Sequence, residues 1–317
     1  MTRYLVTGGA GFIGSHTVDE LVHRGHEVVV FDDLSTGKTG NLAHVEPQVE
    51  VLHQSITDLD KLRGACRGID YVIHLAARTS VPQSMADPVD TNRVNVEGTL
   101  NVLLAARDAK VKRVVFAGST AVYGDTPTLP TKEDTSAAPI SPYGASKLAG
   151  EIYGQVFHRS YGLEFVSLRY FNVFGPRQDP GSPYSGVLSR FGAALLNEEQ
   201  PTVFGDGEQS RDFVYVGNVA EANLLACEAR GAAGLAINVG TGTRHTLNQT
   251  LALLEKVTGR PAKAKYAPPR EGDIRDSQAD ITRARNVLGY SARVGFEEGL
   301  KRTWEWFCTS EGATSRT

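Results

Sequence analysis

TGGAGFIG, residues 7–14, lies between the apolar run RYLVT and the helical pattern GFIGSHTVDELVHRG. Gly9, Gly11 and Gly14 satisfy GxGxxG, while Gly8, Gly11 and Gly14 satisfy GxxGxxG. Between a strand and a helix, such glycines turn the chain tightly. They also bring backbone N–H groups up to a pyrophosphate and let the helix pack on the sheet. The runs EVVVFDD, VEVLHQ, DYVIHLAA, RVVFAGS and EFVSLRY follow, separated by helical stretches such as NVEGTLNVLLAARDAK. Strands apolar on both faces that alternate with helices predict an α/β, Rossmann-like doubly wound parallel sheet, with ligands at the strand carboxyl ends. Beyond Phe174 the pattern breaks into Gly- and Pro-rich segments with short helices near 187–197 and 246–258. Residues 1–174 are expected to form the cofactor-binding domain. Residues 175–317 should form mainly a smaller, interleaved substrate-binding lobe, with segments near 211–230 and 235–242 returning to the core. The polar tail SEGATSRT is expected to fray.

The second strand ends in Asp32 and Asp33, about 20 residues after the glycines, where a carboxylate accepts from an adenosine ribose and repels a 2′-phosphate. That selects NAD over NADP. A formal net charge of −3 with 22% charged residues points to neither nucleic acid nor an anionic membrane as partner. MTRYLVTGG enters a strand pattern directly, without a secretory signal, and no stretch has the length of a membrane span. Cys66, Cys227 and Cys308 are far apart, with no CxxC and no histidine cluster. The expectation is a cytoplasmic chain with no metal site, no disulfide and three buried structural thiols.

RVVFAGS places Ser119 at a strand carboxyl end, and SPYGASK places Tyr143 and Lys147 one turn apart on a helix begun by Pro142. With TGGAGFIG, HLAA (74–77), NVEGT (95–99), GSTAVYG (118–124) and RYFNVFGPRQ (169–178), these stretches resemble the extended short-chain dehydrogenase/reductase superfamily over nearly the whole chain. The resemblance implies that Tyr143 is the acid/base, Lys147 holds the nicotinamide ribose and lowers the Tyr143 pKa, and Ser119 bonds the reacting hydroxyl. An ammonium near a phenol of reference pKa about 10 favours the phenolate, which supports these roles independently. For NAD the resemblance implies a site of Gly8, Gly11, Phe12, Ile13, Gly14, Asp32, Asp33, Leu34, Ser35, Thr36, Gly37, Ser55, Ile56, Leu75, Ala76, Ala77, Arg78, Asn95, Tyr170 and Phe171. His74 reads as a packed structural histidine. In HQSITD, Ser55 stands where relatives often carry an Asp for the adenine amine.

Thr120 and Ala121 follow Ser119 where the 4,6-dehydratase branch has an Asp-Glu pair. Without those proton carriers elimination is disfavoured, and a redox step that undoes itself, 4-epimerisation, is the expected reaction. RYFNVFGPRQDPGSPYSGVLSRF, FGDGEQSRDFVYV and PPREGDIRDSQADI are similar to the UDP-sugar 4-epimerase branch. That similarity implies substrate contacts from Arg78, Asn172, Val187, Val203, Phe204, Arg211, Arg270, Asp273 and Ser277. Asn172, Arg211 and Arg270 would meet the diphosphate, Val187 the uracil and Asp273 the uridine ribose. Ser277 stands where relatives restricted to UDP-glucose and UDP-galactose have a Tyr, which leaves room for the N-acetyl group of UDP-GlcNAc or UDP-GalNAc. The alternatives are a UDP-glucose-only or UDP-glucuronate 4-epimerase, a one-way nucleotide-sugar reductase, and a non-catalytic NAD-binding sensor. The helix of residues 95–109 and the Tyr143 helix resemble a four-helix homodimer contact.

Overall fold

The computed structural model describes residues 1–179, 186–269 and 274–309. Arg270, Asp273 and the tail SEGATSRT lie outside them. In chain order the first half consists of β1 (Arg3–Thr7), α1 (Phe12–His23), β2 (Glu27–Asp32), β3 (Val49–His53), α2 (Leu59–Ala65), β4 (Tyr71–His74), α3 (Val81–Ala86), α4 (Pro88–Asn92), α5 (Gly98–Asp108), β5 (Arg113–Ser119), α6 (Pro142–Tyr161) and β6 (Glu164–Tyr170). The second half adds β7 (Asn172–Phe174), α7 (Val187–Leu196), β8 (Thr202–Phe204), β9 (Ser210–Arg211), β10 (Phe213–Tyr215), α8 (Val216–Glu228), β11 (Ala236–Val239), β12 (His245–Thr246), α9 (Leu247–Thr258), β13 (Lys265–Ala267) and α10 (Phe296–Phe307).

Seven strands form one parallel sheet in the order β3-β2-β1-β4-β5-β6-β11. The chain leaves β1 in one direction, reaches β3, and returns to β4 on the other side of β1. The reversal therefore falls between β1 and β4, and opens a crevice at their carboxyl ends. Strand periodicity divides the core between the two faces. Tyr4, Val6, Val28 and Val30 pack in one cluster, with Val18 and Leu21 of α1 and Val219 of α8. Leu5, Val29 and Phe31 face the opposite cluster, with Leu62 of α2, Leu103 of α5 and Phe157 of α6. A third cluster, including Phe174, Phe191, Phe213 and Leu251, forms away from the sheet among α7, α9, α10 and the short strands.

Two sequence expectations change in detail. The helix expected from residue 95 begins with a widened turn over Arg93–Glu97 and becomes regular at Gly98. Cys66 and Cys227 are buried, whereas Cys308, the residue after α10, is exposed. Apolar surroundings raise both buried thiols. No helix among the described residues is long and apolar enough to cross a membrane.

Helix α6 begins at Ser141, whose side chain accepts from Gly144 N at 3.1 Å, with Pro142 in its first turn; Gly162, at φ +72°, ends it. It lies tightly on the sheet because it carries glycine where it crosses the aromatic side chains. A Cβ at Gly150 would fall 2.7 Å from the Phe116 ring, and one at Gly154 would fall 2.1 Å from the Phe165 ring. Gly154→Ala is therefore expected to destabilise the fold by about 1–3 kcal/mol through overpacking, measured by urea unfolding; a change below about 0.5 kcal/mol would be the outcome for an ordinary surface position instead.

Candidate active site

At the crevice, Gly8 has φ +71°, and a Cβ there would come 2.6 Å from Ala76 N. The glycine turn and the HLAA segment are thus in backbone contact. A Cβ at Gly14 would lie 2.0 Å from Gly8 O, so α1 starts directly under the turn. Asp32 is buried and its two oxygens accept from Ala10 N at 2.9 Å and Leu34 N at 2.8 Å; burial raises its carboxyl pKa. Asp33 accepts from Ser35 N at 2.9 Å. Leu34 itself has φ +56°, and a Cβ at Gly37 would sit 3.0 Å from both Asp32 oxygens, so residues 33–37 fold closely over the end of β2.

The opposite wall is held by polar side chains. Fully buried His74 contacts Thr7 Oγ1 through Nδ1 at 2.7 Å and Thr99 Oγ1 through Nε2 at 3.0 Å. Burial first, then the charge of Lys147, pulls its pKa down to about 3, so it is a neutral packed histidine. Asn95 accepts from Arg78 N at 2.7 Å, and its amide donates to Arg78 O and to Ser146 Oγ, both at 2.9 Å. One buried amide therefore joins the wall to α6. Arg78 extends across the mouth, donating to Asp90 at 2.9 Å and to Ser35 Oγ at 2.6 Å. Ser55 closes a local turn with Thr57, their hydroxyls 2.9 Å apart, and Ile56 is buried beneath α5.

Ser119, Tyr143 and Lys147 meet beside this wall. Ser119 ends β5, and its hydroxyl accepts from Ala121 N at 3.1 Å while also hydrogen-bonding the Tyr143 phenol. Tyr143 N donates to Ser84 Oγ at 3.1 Å, which fixes the first turn of α6 from α3. Lys147 is buried, with Nζ 5.0 Å from the Phe116 ring centroid and 6.0 Å from that of Tyr143. Burial lowers its pKa to about 8.

The electrostatics differ from the expected phenol activation by Lys147. In the protein alone, burial pushes the Tyr143 pKa above its ordinary value, and the Ser119 hydrogen bond is the influence that opposes it. The fold that assembles the pair also removes water from both groups.

The residues of the second half occupy separate places. Tyr170 and Phe171 are buried at the end of β6, the Tyr170 hydroxyl donating to Asn223 Oδ1 at 2.5 Å. Asn172 Nδ2 donates to Asp212 O at 3.3 Å, and Arg211 Nη1 donates to Ser210 O at 2.9 Å and Arg275 O at 3.1 Å. Phe204 lines a cavity of about 420 Å³ with Gly205, Gln209, Ala267 and Ile274. Val203, expected beside it as a ligand contact, has no exposed surface; alternation along β8 turns its side chain into the third core cluster. Val187 is partly buried at the start of α7, and Ser277 is half-buried, its N–H donating to Ser210 O at 3.1 Å.

Ser84, Ser146 and Asp212 were not legible as site residues. Fully buried Asp212 accepts from Thr241 N and Oγ1, Gly242 N and Ala279 N, so it ties the segment of Arg211 to that of Ser277. Its only sequence signal is its place beside Arg211 in SRDF.

The cradle at Gly8 and Gly14, the carboxylates at the end of β2 and a buried ammonium with an aromatic floor fit a dinucleotide. Residues 4–240 match the model of the NAD dependent epimerase/dehydratase family, and the chain belongs to that family. Its cofactor is NAD. The chain is 42% identical over 310 residues to a UDP-glucose 4-epimerase of Mycolicibacterium smegmatis, covering 96% of this chain and 98% of the relative. It is similar in structure to a UDP-N-acetylglucosamine 4-epimerase from Methanobrevibacter ruminantium in complex with UDP-N-acetylmuramic acid, with a TM-score of 0.93, 42% identity and coverage of 96% and 98% of the two chains. It is also similar to the Thermus thermophilus UDP-glucose 4-epimerase in complex with NAD, with a TM-score of 0.89, 41% identity and coverage of 98% and 100%.

Because the Ser119 bond favours the phenolate, Ser119→Ala is expected to move the rising limb of the kcat–pH profile to higher pH and to lower kcat by about 10²-fold. Initial rates from about pH 6 to 10 would check this, and an unshifted limb would contradict the assigned bond.

Proposed function

We propose that this chain catalyses the reversible 4-epimerisation of a UDP-hexose through a transient 4-keto sugar. UDP-GlcNAc and UDP-GalNAc are the preferred pair, and UDP-glucose and UDP-galactose are weaker substrates. One observation carries the reading: Ser119, Tyr143 and Lys147 converge beside the crevice, while Thr120 and Ala121 supply no carboxylate pair for elimination. NAD, which the glycine turn at Gly8 and Gly14 and the carboxylates ending β2 would hold, would supply reversible hydride chemistry at C4 of the sugar. The Tyr143 phenolate takes the proton of the 4-hydroxyl and later gives it back, and Ser119 hydrogen-bonds the same oxygen. Lys147 would hold the nicotinamide ribose, and its ammonium, 6.0 Å from the Tyr143 ring centroid, would favour the phenolate against the opposing effect of burial. Residues 1–174 mainly hold the cofactor, and the remainder mainly holds the sugar nucleotide. Arg211 and Asn172 would meet the diphosphate and Val187 would border the uracil, with Arg270 and Asp273 assigned from sequence alone. Such remote contacts hold the carrier while the ketone presents its other face.

The small side chain of Ser277 supports the N-acetyl preference. Incubation with UDP-GlcNAc, UDP-glucose and UDP-glucuronate separately, without added cofactor, is expected to give 4-epimers of the first and, more slowly, the second. Ser277→Tyr should lose the N-acetylated pair selectively. Equal loss for both classes would overturn the gatekeeper role, and stoichiometric change in NADH would favour a one-way reductase.

We also infer a homodimer formed through α5 and α6 of two copies. Leu100 and Leu104 of α5 are only partly buried, and α6 exposes Ile152, Tyr153 and Val156. Val156→Asp is expected to halve the mass measured by light scattering; a mass unchanged from the wild type would count against this face.

A further inference from the structure

Arg169 lies on β6, beside the strand that ends in Ser119, and is only 6% exposed. Its Nε and Nη2 donate to the two oxygens of Glu151 at 3.0 and 2.5 Å. Glu151 is 2% exposed and also accepts from Ser167 Oγ at 2.9 Å. The remaining nitrogen, Nη1, donates to Tyr123 Oη at 2.8 Å and to Glu133 O at 2.9 Å. The guanidinium carbon stands 4.9 Å from the centroid of the Tyr123 ring, and that hydroxyl in turn donates to Asn238 Oδ1 at 2.7 Å. Every arm of the fork is therefore engaged, and none of these contacts is within one secondary-structure element.

The two ends of this network are informative. Glu151 follows Lys147 by four residues and Tyr143 by eight, so it projects from the same side of α6 as both. Tyr123 closes the short turn that follows Ser119, its N–H bonded to Thr120 O at 3.0 Å. A single guanidinium is thus bonded to the helix that carries Tyr143 and to the turn that directly follows Ser119. Stability does not require such a device, because apolar residues of similar volume often replace a buried ion pair at no cost or with gain. A rigid fork does fix orientation in a way that apolar packing does not.

We propose that Arg169, held by Glu151, is a positioning residue that sets the register between the Ser119 turn and the Tyr143 helix. This rests on the reading of Ser119 and Tyr143 as the proton-handling pair. Arg169 acts on them through Glu151 and Tyr123.

The test compares the NAD-containing wild type with the double variant Glu151→Met/Arg169→Met, which leaves no lone buried charge, and with Tyr123→Phe, which removes one hydroxyl and no charge. Thermal unfolding and NAD content are measured alongside kcat and KM for UDP-GlcNAc and UDP-glucose. The double variant is expected to fold and retain NAD, with kcat reduced about ten- to a hundred-fold and KM changed by less than about threefold. Tyr123→Phe should lose kcat in the same direction by a smaller factor, and Arg169→Lys should not restore the fork geometry or the rate. A folded double variant or Tyr123→Phe with wild-type kcat would overturn the proposal. Should the wild type epimerise no UDP-sugar, the functional reading fails, and the positioning role is still decided by crystal structures of the variants. Ser119 Oγ and Tyr143 Oη out of hydrogen-bond reach support it, and an unchanged pair overturns it.

Discussion

The contact between Gly8 and the backbone of Ala76 is the constraint on which the rest of the site depends. The two residues follow β1 and β4, the strands between which the sheet order reverses. Any side chain at residue 8 would force those strand ends apart and widen the crevice that the reversal creates. The glycine turn then has the start of α1 directly beneath it, and residues 33–37 fold over it from the end of β2. A cleft that fits a dinucleotide is a consequence of topology, two close backbone approaches and the packing of Gly37 on the Asp32 carboxylate.

The other side of the cleft depends on buried polar groups. Asn95 joins the Arg78 backbone to Ser146, Ser84 holds Tyr143 N, and His74 bridges two threonines in its neutral form. Each satisfied group costs little, whereas leaving its partner alone would cost the desolvation of a buried donor or acceptor. Such a network fixes one arrangement of α6 relative to the sheet. It also accounts for the upward shift of the Tyr143 phenol, since dry, tightly packed surroundings oppose its ionisation until other charges are close.

Much of this was legible because it is local in sequence. The glycine spacing, the carboxylates ending β2, and Tyr143 and Lys147 one turn apart are short-range signals with a physical reason for each residue type. Alternating apolar strands and helices fixed the sheet class in the same way. Illegible parts depend on partners far along the chain. Ser84 meets Tyr143 across 59 residues and Asn95 meets Ser146 across 51, with no local pattern to mark either. Val203 and Phe204 are neighbours that face opposite ways, and the three-residue strand was too short for its phase to be read. The direction of the Tyr143 shift and the exposure of Cys308 both follow from burial, which periodicity does not report.

In the proposed epimerisation the hydrogen at C4 leaves the sugar as a hydride and returns to the same molecule, with Tyr143 handling only the hydroxyl proton. UDP-GlcNAc carrying deuterium at C4, incubated in ordinary water and analysed by mass spectrometry and NMR, tests it most directly. With return of the same hydride, both 4-epimers keep the deuterium at C4 after equilibrium is reached. Loss of the label to solvent during epimerisation would contradict it.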